Sequence, residues 1–149
     1  RDRNIKVIVD ATGELLLNAL KHKPFLIKPN DSELGELFNV KIKTKEEILM
    51  YGKKLQELGA ENVMISMGEN GALLITANET FECGAPKQQM KNTTGAGDSM
   101  VAGFIAGYLE RSDFNYALKM GVAAGSATAF SDDLATNDEV AILLKQLGY

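Results

Sequence analysis

Short apolar runs rich in β-branched residues alternate with segments of helical spacing through the first half of the chain. The run KVIVD at 6–10 predicts a strand, and the segment at 14–22 repeats its leucines at helical spacing. A second short strand at 25–28 precedes helical patterns at 31–38 and 45–58. Because parallel strands need a helix-sized crossover between them, this alternation indicates an α/β layered fold, with helices flanking a mostly parallel sheet.

Three strand candidates in the middle of the chain follow one another with only short loops between them, at 63–66, 72–76 and 80–83. Loops that short join antiparallel neighbours, so some strands of the sheet are expected to be antiparallel. Three more helices are expected, at 99–110, 114–130 and 138–147. In the first of them Gly103 and Gly107 lie one turn apart, which predicts the close approach of another element.

The composition restricts the chemistry that is available. The 149 residues carry 45% apolar and 24% charged side chains, which fits one globular domain, and the net charge of -4 gives no footprint for nucleic acid or an anionic membrane. One cysteine, Cys83, and one histidine, His22, exclude a disulfide framework, a thiolate zinc site and a histidine-based relay. Cys83 is expected in the core and His22 at the surface. With no secretory leader or membrane-spanning run recognised, a cytoplasmic location is expected.

The most informative local motif is Thr94-Gly95-Ala96-Gly97-Asp98, which leads directly into a helix. Small residues leave backbone amides accessible, and a helix start adds unpaired N–H groups with partial positive charge, so this segment can hold a phosphate. A carboxylate there would repel phosphate unless it serves the chemistry, and phosphoryl transfer gives Asp98 the role of accepting a proton from a hydroxyl. The alternative explanation of the same residues is an ordinary turn followed by an acidic residue that the helix dipole favours.

Two named phosphate-binding loops do not fit this motif. A Walker loop needs Gly-Lys-Ser or Gly-Lys-Thr, which the sequence lacks. A dinucleotide fingerprint that begins at Gly95 needs glycine at 100, where Met100 stands.

Two further polar clusters follow predicted strands. Asn30 and Glu33, three residues apart at a helix start, can organise the water shell of Mg²⁺ beside phosphates, and they also form a capping pair. The glycine-punctuated segment at 66–71 suits the close approach of a nucleotide and suits a plain hairpin connection equally well.

These clusters, in this order, resemble the ribokinase-like PfkB carbohydrate kinases. The segment NTTGAGDSMVAG at 92–103 is similar to the C-terminal signature of that family over its whole length. The resemblance implies a ribokinase-like fold, with Asp98 as catalytic base and the backbone of Gly95, Ala96, Gly97 and Asp98 as an anion hole.

The same resemblance implies ATP and Mg²⁺ as cofactors. Asn30 and Glu33 fit the Asn-x-x-Glu element of the family, which implies that they act in Mg²⁺ and phosphate organisation as well as in capping. The nucleotide contacts that it implies are Gly97 and Asp98 together with Ser66, Met67, Gly68, Glu69, Asn70 and Gly71.

Within the family, the segment LIKPN at 26–30 and the run GAGDSMVAG at 95–103 are most similar to the sugar-phosphate kinases, 1-phosphofructokinases above all and tagatose-6-phosphate kinases next. This similarity implies ATP-dependent phosphorylation of fructose 1-phosphate to fructose 1,6-bisphosphate. Another acceptor, such as tagatose 6-phosphate, a simple hexose or a nucleoside, and a non-catalytic nucleotide-binding module stay open as alternatives.

The resemblance covers nearly all of residues 1–149 but corresponds only to the C-terminal, nucleotide-binding and catalytic half of a family member, a partial domain. The other half supplies most sugar contacts, the lid strands and the homodimer contacts in the family. Because catalysis needs both reactants held in near-attack geometry, the 149 residues alone are expected not to turn over.

Overall fold

The computed structural model describes residues 5–86, 95–130 and 136–148. Asn92, Thr93 and Thr94, the first three residues of the segment at 92–103, lie outside these described residues. The helices of the described chain are α1 (Gly13–Leu20), α2 (Asp31–Phe38), α3 (Lys45–Glu57), α4 (Ala96–Arg111), α5 (Phe114–Phe130) and α6 (Asn137–Gln146). The strands are β1 (Ile8–Val9), β2 (Leu26–Ile27), β3 (Asn62–Ser66), β4 (Ala72–Ile75) and β5 (Thr80–Cys83).

The five strands lie in the sheet in the order in which they occur along the chain, from β1 to β5. β1 pairs with β2 and β2 pairs with β3 in parallel, with Val9 opposite Ile27 and Ile27 opposite Val63. The connections from β3 to β4 and from β4 to β5 contain no helix long enough for a crossover, so these neighbours run antiparallel. The sheet is therefore mixed, in an α/β fold as the sequence predicted.

The strands β2, β3 and β4 are largely apolar and largely buried, whereas β1 is half-buried and β5 is partly exposed. The β3 residues Val63, Met64 and Ile65 and the β4 residue Leu74 are all fully buried. A continuous apolar run, rather than an alternating one, is typical of strands covered on both faces.

Several helix starts among the described residues follow local capping signals. Asn30 caps α2 and Thr136 caps α6, each through a reciprocal capping box with the glutamate three residues later, and Thr44 caps α3. The predicted bounds of α2 and α5 are confirmed. The predicted start of α4 at Ser99 is wrong, because the helix begins at Ala96 and takes Gly97 and Asp98 into its first turn.

Two compact units make up the described chain. The first comprises the residues up to Ser66 together with Leu74–Thr80, and the second comprises Met67–Leu73 and the residues from Phe81 onward. No helix among the described residues has the length and apolarity needed to cross a bilayer.

The second unit contains a tight pair of helices, α4 and α5. A Cβ built at Gly103 would lie 2.6 Å from the Met120 carbonyl oxygen, and one at Gly107 would lie 3.0 Å from the Ala117 Cα. These separations confirm the close approach predicted from the glycine spacing. On its other side α5 packs against α6 through a cluster of Ala123, Ala127 and Leu143.

Candidate functional site

The end of β2 meets the end of β3 in the first unit. Beyond the paired residues of these strands, Asn30 forms a parallel bridge with Ser66, and the Ser66 N–H donates to the Pro29 carbonyl at 3.2 Å. Asn30 begins one predicted cluster and Ser66 begins another, although 36 positions separate them. The structure therefore places Ser66 beside Asn30 at the carboxyl edge of parallel strands, where α/β folds place ligands.

Asn30 and Glu33 form both hydrogen bonds of a capping box. The Glu33 N–H donates to Asn30 Oδ1 at 2.7 Å, and the Asn30 N–H donates to Glu33 Oε1 at 2.9 Å. Both side chains are partly exposed, and a carboxylate has further lone pairs on its second oxygen. Capping therefore leaves acceptor capacity on Glu33 for the water shell of a cation.

The described residues contain no group of three or more histidine, cysteine or acidic side chains that could enclose a metal ion. A cation beside Asn30 and Glu33 would keep most of its ligands as water or substrate oxygens. Mg²⁺ binds in this way, through one or two carboxylates plus waters and phosphates. The residues present therefore fit Mg²⁺ with an outer ligand shell better than a closed protein cage.

Lys28 and Asp10 form an ion pair at the same carboxyl edge that the sequence did not suggest. Asp10 directly follows β1 and Lys28 directly follows β2. The Lys28 Nζ lies 3.9 Å from Asp10 Oδ1, with Lys28 8% exposed and the Asp10 side chain 37% exposed. The ammonium group of this buried lysine is held by a partly exposed carboxylate. It is a compact positive charge of the kind that can bind a phosphate group. The sequence feature that could have indicated this ion pair is a charged residue immediately after each of the two apolar strands, Asp10 after β1 and Lys28 after β2.

The segment at 66–71 is a tight loop around a short 3₁₀ turn at Gly68–Asn70. The Met67 N–H donates to the Gly71 carbonyl at 2.8 Å, which closes the loop. Gly71 has φ +90°, and a Cβ there would lie within 1.9 Å of the Cys83 carbonyl oxygen, so only glycine fits. Gly68, Glu69 and Asn70 are exposed.

Two loop residues predicted to contact the nucleotide are buried in this structure, Met67 and Gly71. Met67 is 5% exposed, so these two residues, backbone included, present little surface to a ligand. The exposed surface of the loop is its 3₁₀ turn.

The glycine-rich motif begins α4 in the second unit. Gly95 is the N-cap with φ +81°, a left-handed conformation that favours glycine, and it has no side chain to cover the first-turn amides. Ala96 and Gly97 follow as the first two helical residues, and Asp98 is the third and is exposed. The start of α4 thus combines small residues, a left-handed cap and an outward carboxylate.

Cys83 and His22 lie where the sequence predicted. His22 is exposed after the end of α1, and Cys83 is buried at 4% exposure in β5. Burial raises the pKa of the Cys83 thiol to about 11, partly offset by the positive charge of Lys119. The thiol is therefore neutral near pH 7 and is a packing residue rather than a nucleophile.

A cavity of about 500 Å³ opens beside α2 in the first unit. Its walls carry Asp31, Glu36 and Lys41, so its charge is mixed, and it starts next to the Asn30 cap without including Asn30 or Glu33. This cavity and the predicted metal cluster are therefore neighbours rather than one site. The full lining is Asp31, Ser32, Gly35, Glu36, Asn39, Val40, Lys41 and Ile42.

Comparison with known proteins gives one consistent family. The family model of pfkB family carbohydrate kinases matches residues 1–140. A 1-phosphofructokinase of Bacillus subtilis is 47% identical over 147 residues, which are 99% of this chain and 48% of that protein. A D-tagatose-1-phosphate kinase of Bacillus licheniformis is 40% identical over 134 residues, covering 89% of this chain and 44% of that protein. This relative is named for tagatose 1-phosphate, whereas the sequence resemblance had pointed to tagatose 6-phosphate.

Solved structures agree with the sequence relatives. Phosphofructokinase-2 from Escherichia coli, in complex with substrates and products, superposes with a TM-score of 0.91 at 30% identity, covering 99% of this chain and 49% of that one. Arabidopsis thaliana ribokinase, complexed with ribose and ATP, gives a TM-score of 0.80 at 27% identity, covering 95% of this chain and 48% of that one. The fold is thus ribokinase-like, and the chain spans about half the length of each of these four proteins. On the family match over residues 1–140, the chain belongs to the pfkB family of carbohydrate kinases.

Proposed function

We propose that this chain is the C-terminal, nucleotide-binding and catalytic half of an ATP-dependent sugar-phosphate kinase that converts fructose 1-phosphate to fructose 1,6-bisphosphate. The observation that carries the proposal is the start of α4, where an exposed Asp98 follows a glycine N-cap that cannot cover the first-turn amides. The 47% identity to a 1-phosphofructokinase supports the choice of acceptor. The D-tagatose-1-phosphate kinase at 40% identity supports a tagatose phosphate as the alternative acceptor.

In this proposal Asp98 accepts the proton of the sugar hydroxyl as the hydroxyl oxygen attacks the γ-phosphorus of ATP. A new P–O bond to the sugar forms, the bond between the γ-phosphorus and the β-γ bridging oxygen breaks, and ADP leaves. The backbone amides from Gly95 to Asp98 offset the charge on the transferring group. Asp98 stands in the first turn of α4, so its carboxylate lies in the same turn as these amides.

The nucleotide contacts proposed in the loop come from its exposed turn, Gly68 to Asn70, and from the half-buried Ser66 that precedes it. Gly68 is exposed, has a positive φ and has no side chain, so its backbone is accessible at the surface of this turn. Because Ser66 bridges to Asn30, the proposed nucleotide loop starts beside the proposed metal cluster.

Mg²⁺ is proposed to lie beside Asn30 and Glu33, held mainly through water. When bound, the cation supplies charge neutralisation for the phosphate oxygens. Glu33 retains lone pairs on its second carboxylate oxygen, and Asn30 fixes the Glu33 position through the capping box. Lys28 is proposed to add a positive charge for a phosphate group at the same edge, with Asp10 holding the ammonium group in place.

The acceptor sugar is proposed to be held mostly by the part of the kinase that this chain does not cover. The relatives are about twice as long as the region they share with it. We therefore expect no turnover from the 149 residues alone and turnover when the rest of the kinase is present. We propose that any homodimer contacts also lie in the part of the kinase outside this chain.

Replacing Asp98 by asparagine in the full-length kinase tests the proposal. Asp98→Asn keeps the shape of the side chain and removes the proton acceptor, and kcat should fall by at least about a hundredfold with fructose 1-phosphate and Mg-ATP. The matched control is Asp138→Asn, which removes an exposed carboxylate from the first turn of α6. It should leave kcat within about twofold, because any general effect of charge at a helix start is small.

A fully folded Asp98→Asn enzyme with nearly unchanged kcat would show that Asp98 has another role. Nucleotide binding without turnover of any sugar phosphate by the full-length protein would favour a non-catalytic binding module. A panel of fructose 1-phosphate, tagatose 1-phosphate and tagatose 6-phosphate would separate the acceptors.

A further inference from the structure

The first turn of α4 is held against α5 by contacts that leave almost no free space. A Cβ built at Gly125 on α5 would lie 3.1 Å from the Ala96 carbonyl oxygen and 3.3 Å from the Met100 Cβ. One turn earlier, a Cβ at Gly121 would lie 2.9 Å from the Met100 carbonyl oxygen. The backbone that carries Asp98 therefore rests on the glycine face of α5.

A hydroxyl pair completes this contact at the C-terminal end of α5. Ser99 Oγ lies 2.8 Å from Thr128 Oγ1, a hydrogen-bond distance in which either oxygen can donate. Thr128 is fully buried and Ser99 is half-buried. Ser99 directly follows Asp98, so this bond fixes the helix rotation one residue from the proposed base.

We infer that Thr128 and Gly125 are positioning residues that set where Asp98 and the first-turn amides of α4 point. The inference rests on the proposed function, since it states that contacts from α5 hold the proposed catalytic groups of α4 in place. Through its hydrogen bond to Ser99, Thr128 fixes the rotation of α4 about its own axis at the helix start. Gly125 fixes the distance between α5 and the start of α4, because no side chain separates α5 from Ala96. Neither residue touches the reacting groups in this assignment.

Position along the helix pair distinguishes this role from ordinary packing. Gly107 makes a comparable contact, with a Cβ at 3.0 Å from the Ala117 Cα, but it lies nine residues after Asp98 on α4. A methyl group at Gly107 or at Gly125 must displace its neighbour by a few tenths of an ångström. Only the displacement at Gly125 acts on the turn that carries Asp98.

The test uses full-length kinase and compares Gly125→Ala with Gly107→Ala, and Thr128→Val with Thr128→Ser. Gly125→Ala and Thr128→Val should each lower kcat about tenfold and leave the KM for ATP within about twofold, because small misplacements of a catalytic group reduce turnover strongly. Gly107→Ala should change the melting temperature and keep kcat within about twofold. Thr128→Ser, which keeps the hydroxyl, should restore most of the kcat lost in Thr128→Val.

A double-mutant cycle with Ser99→Ala identifies the hydroxyl pair as the cause. If the pair positions the helix start, Ser99→Ala and Thr128→Val together should lower kcat no more than either alone. Ser99→Ala also serves if Thr128→Val fails to fold. Unchanged kcat in Ser99→Ala and Gly125→Ala, in an enzyme that Asp98→Asn inactivates, would overturn this inference and leave the proposed function intact. An active Asp98→Asn enzyme would overturn both.

Discussion

The two capping boxes found in the described part of the chain allow the structural and the functional role of Asn30 to be separated. Asn30 and Glu33 close the start of α2 through hydrogen bonds of 2.7 and 2.9 Å, and Thr136 and Glu139 close the start of α6 through bonds of 3.3 and 3.1 Å. The two boxes have the same topology. The first box is beside Ser66 and the proposed Mg²⁺ position.

Asn30→Ala removes the N-cap acceptor of α2 and should cost about 1 kcal/mol of unfolding free energy. For a domain of this size, that corresponds to a melting temperature lower by about 3 °C. Thr136→Ala should cost a similar amount, because it removes the same kind of bond from an exposed helix start. On stability alone the two variants should be nearly indistinguishable.

The functional consequences should differ. Asn30→Ala releases Glu33 from its fixed position, so the Mg²⁺ concentration for half-maximal turnover by full-length kinase should rise about tenfold, the usual scale for losing an outer-shell partner of a metal. Thr136→Ala should leave the Mg²⁺ requirement unchanged. The assay is a Mg²⁺ titration of ADP release at saturating ATP, paired with thermal melts of each variant.

Asn30→Ser completes the set because serine caps a helix nearly as well as asparagine. It should restore the melting temperature and most of the Mg²⁺ affinity, since the cap that fixes Glu33 is rebuilt. The reasoning fails if Asn30→Ala lowers the melting temperature as expected and shows the Mg²⁺ requirement of the unmodified enzyme. The capping box would then be a structural feature only.

Two further predictions concern the loop at 66–71 and β5. Gly71→Ala should destabilise the protein by about 2–5 kcal/mol, because it combines a positive φ with a collision against the Cys83 carbonyl; Gly68→Ala, with positive φ but no atom within 4 Å, should cost only about 1–2 kcal/mol in the same denaturant titrations. Burial raises the Cys83 pKa from 9.0 to about 11, so its contribution to stability is complete below pH 9 and is lost as the pH rises towards 11. Between pH 8 and 10 the unmodified protein should lose about 1 kcal/mol more than Cys83→Ala, and equal losses would contradict a raised pKa.

The sequence predicted the elements whose ends depend on local signals. The α2 bounds follow from Asn30 and Glu33, three residues apart, and the α3 start follows from Thr44, whose side chain accepts the Glu47 N–H. The α4 start was placed three residues late, because a glycine N-cap in the left-handed conformation carries no capping side chain to mark it. Local capping chemistry is visible in a sequence, whereas a backbone conformation that only glycine tolerates is not.

The parts of the candidate site that the sequence did not predict are pairings between distant residues. Lys28 faces Asp10 only because β1 and β2 pair in register, with Val9 opposite Ile27. The contact between Ser99 and Thr128 depends on how α4 and α5 pack, and 29 positions separate the two residues. The sequence motifs indicated which residues could bind a ligand or react. The fold determined which other side chains hold those residues in position.

The different helix starts of this chain suggest why the proposed anion site is at α4. Asn30, Thr44 and Thr136 each use a side-chain oxygen to accept a first-turn N–H, so these starts satisfy themselves in part. Gly95 gives up such a bond at a cost of only a few tenths of a kcal/mol relative to a good cap. That small cost leaves the amides near Asp98 available to a phosphate. Packing of α5 through Gly125 and Thr128 then supplies the rigidity that a capping side chain would otherwise provide.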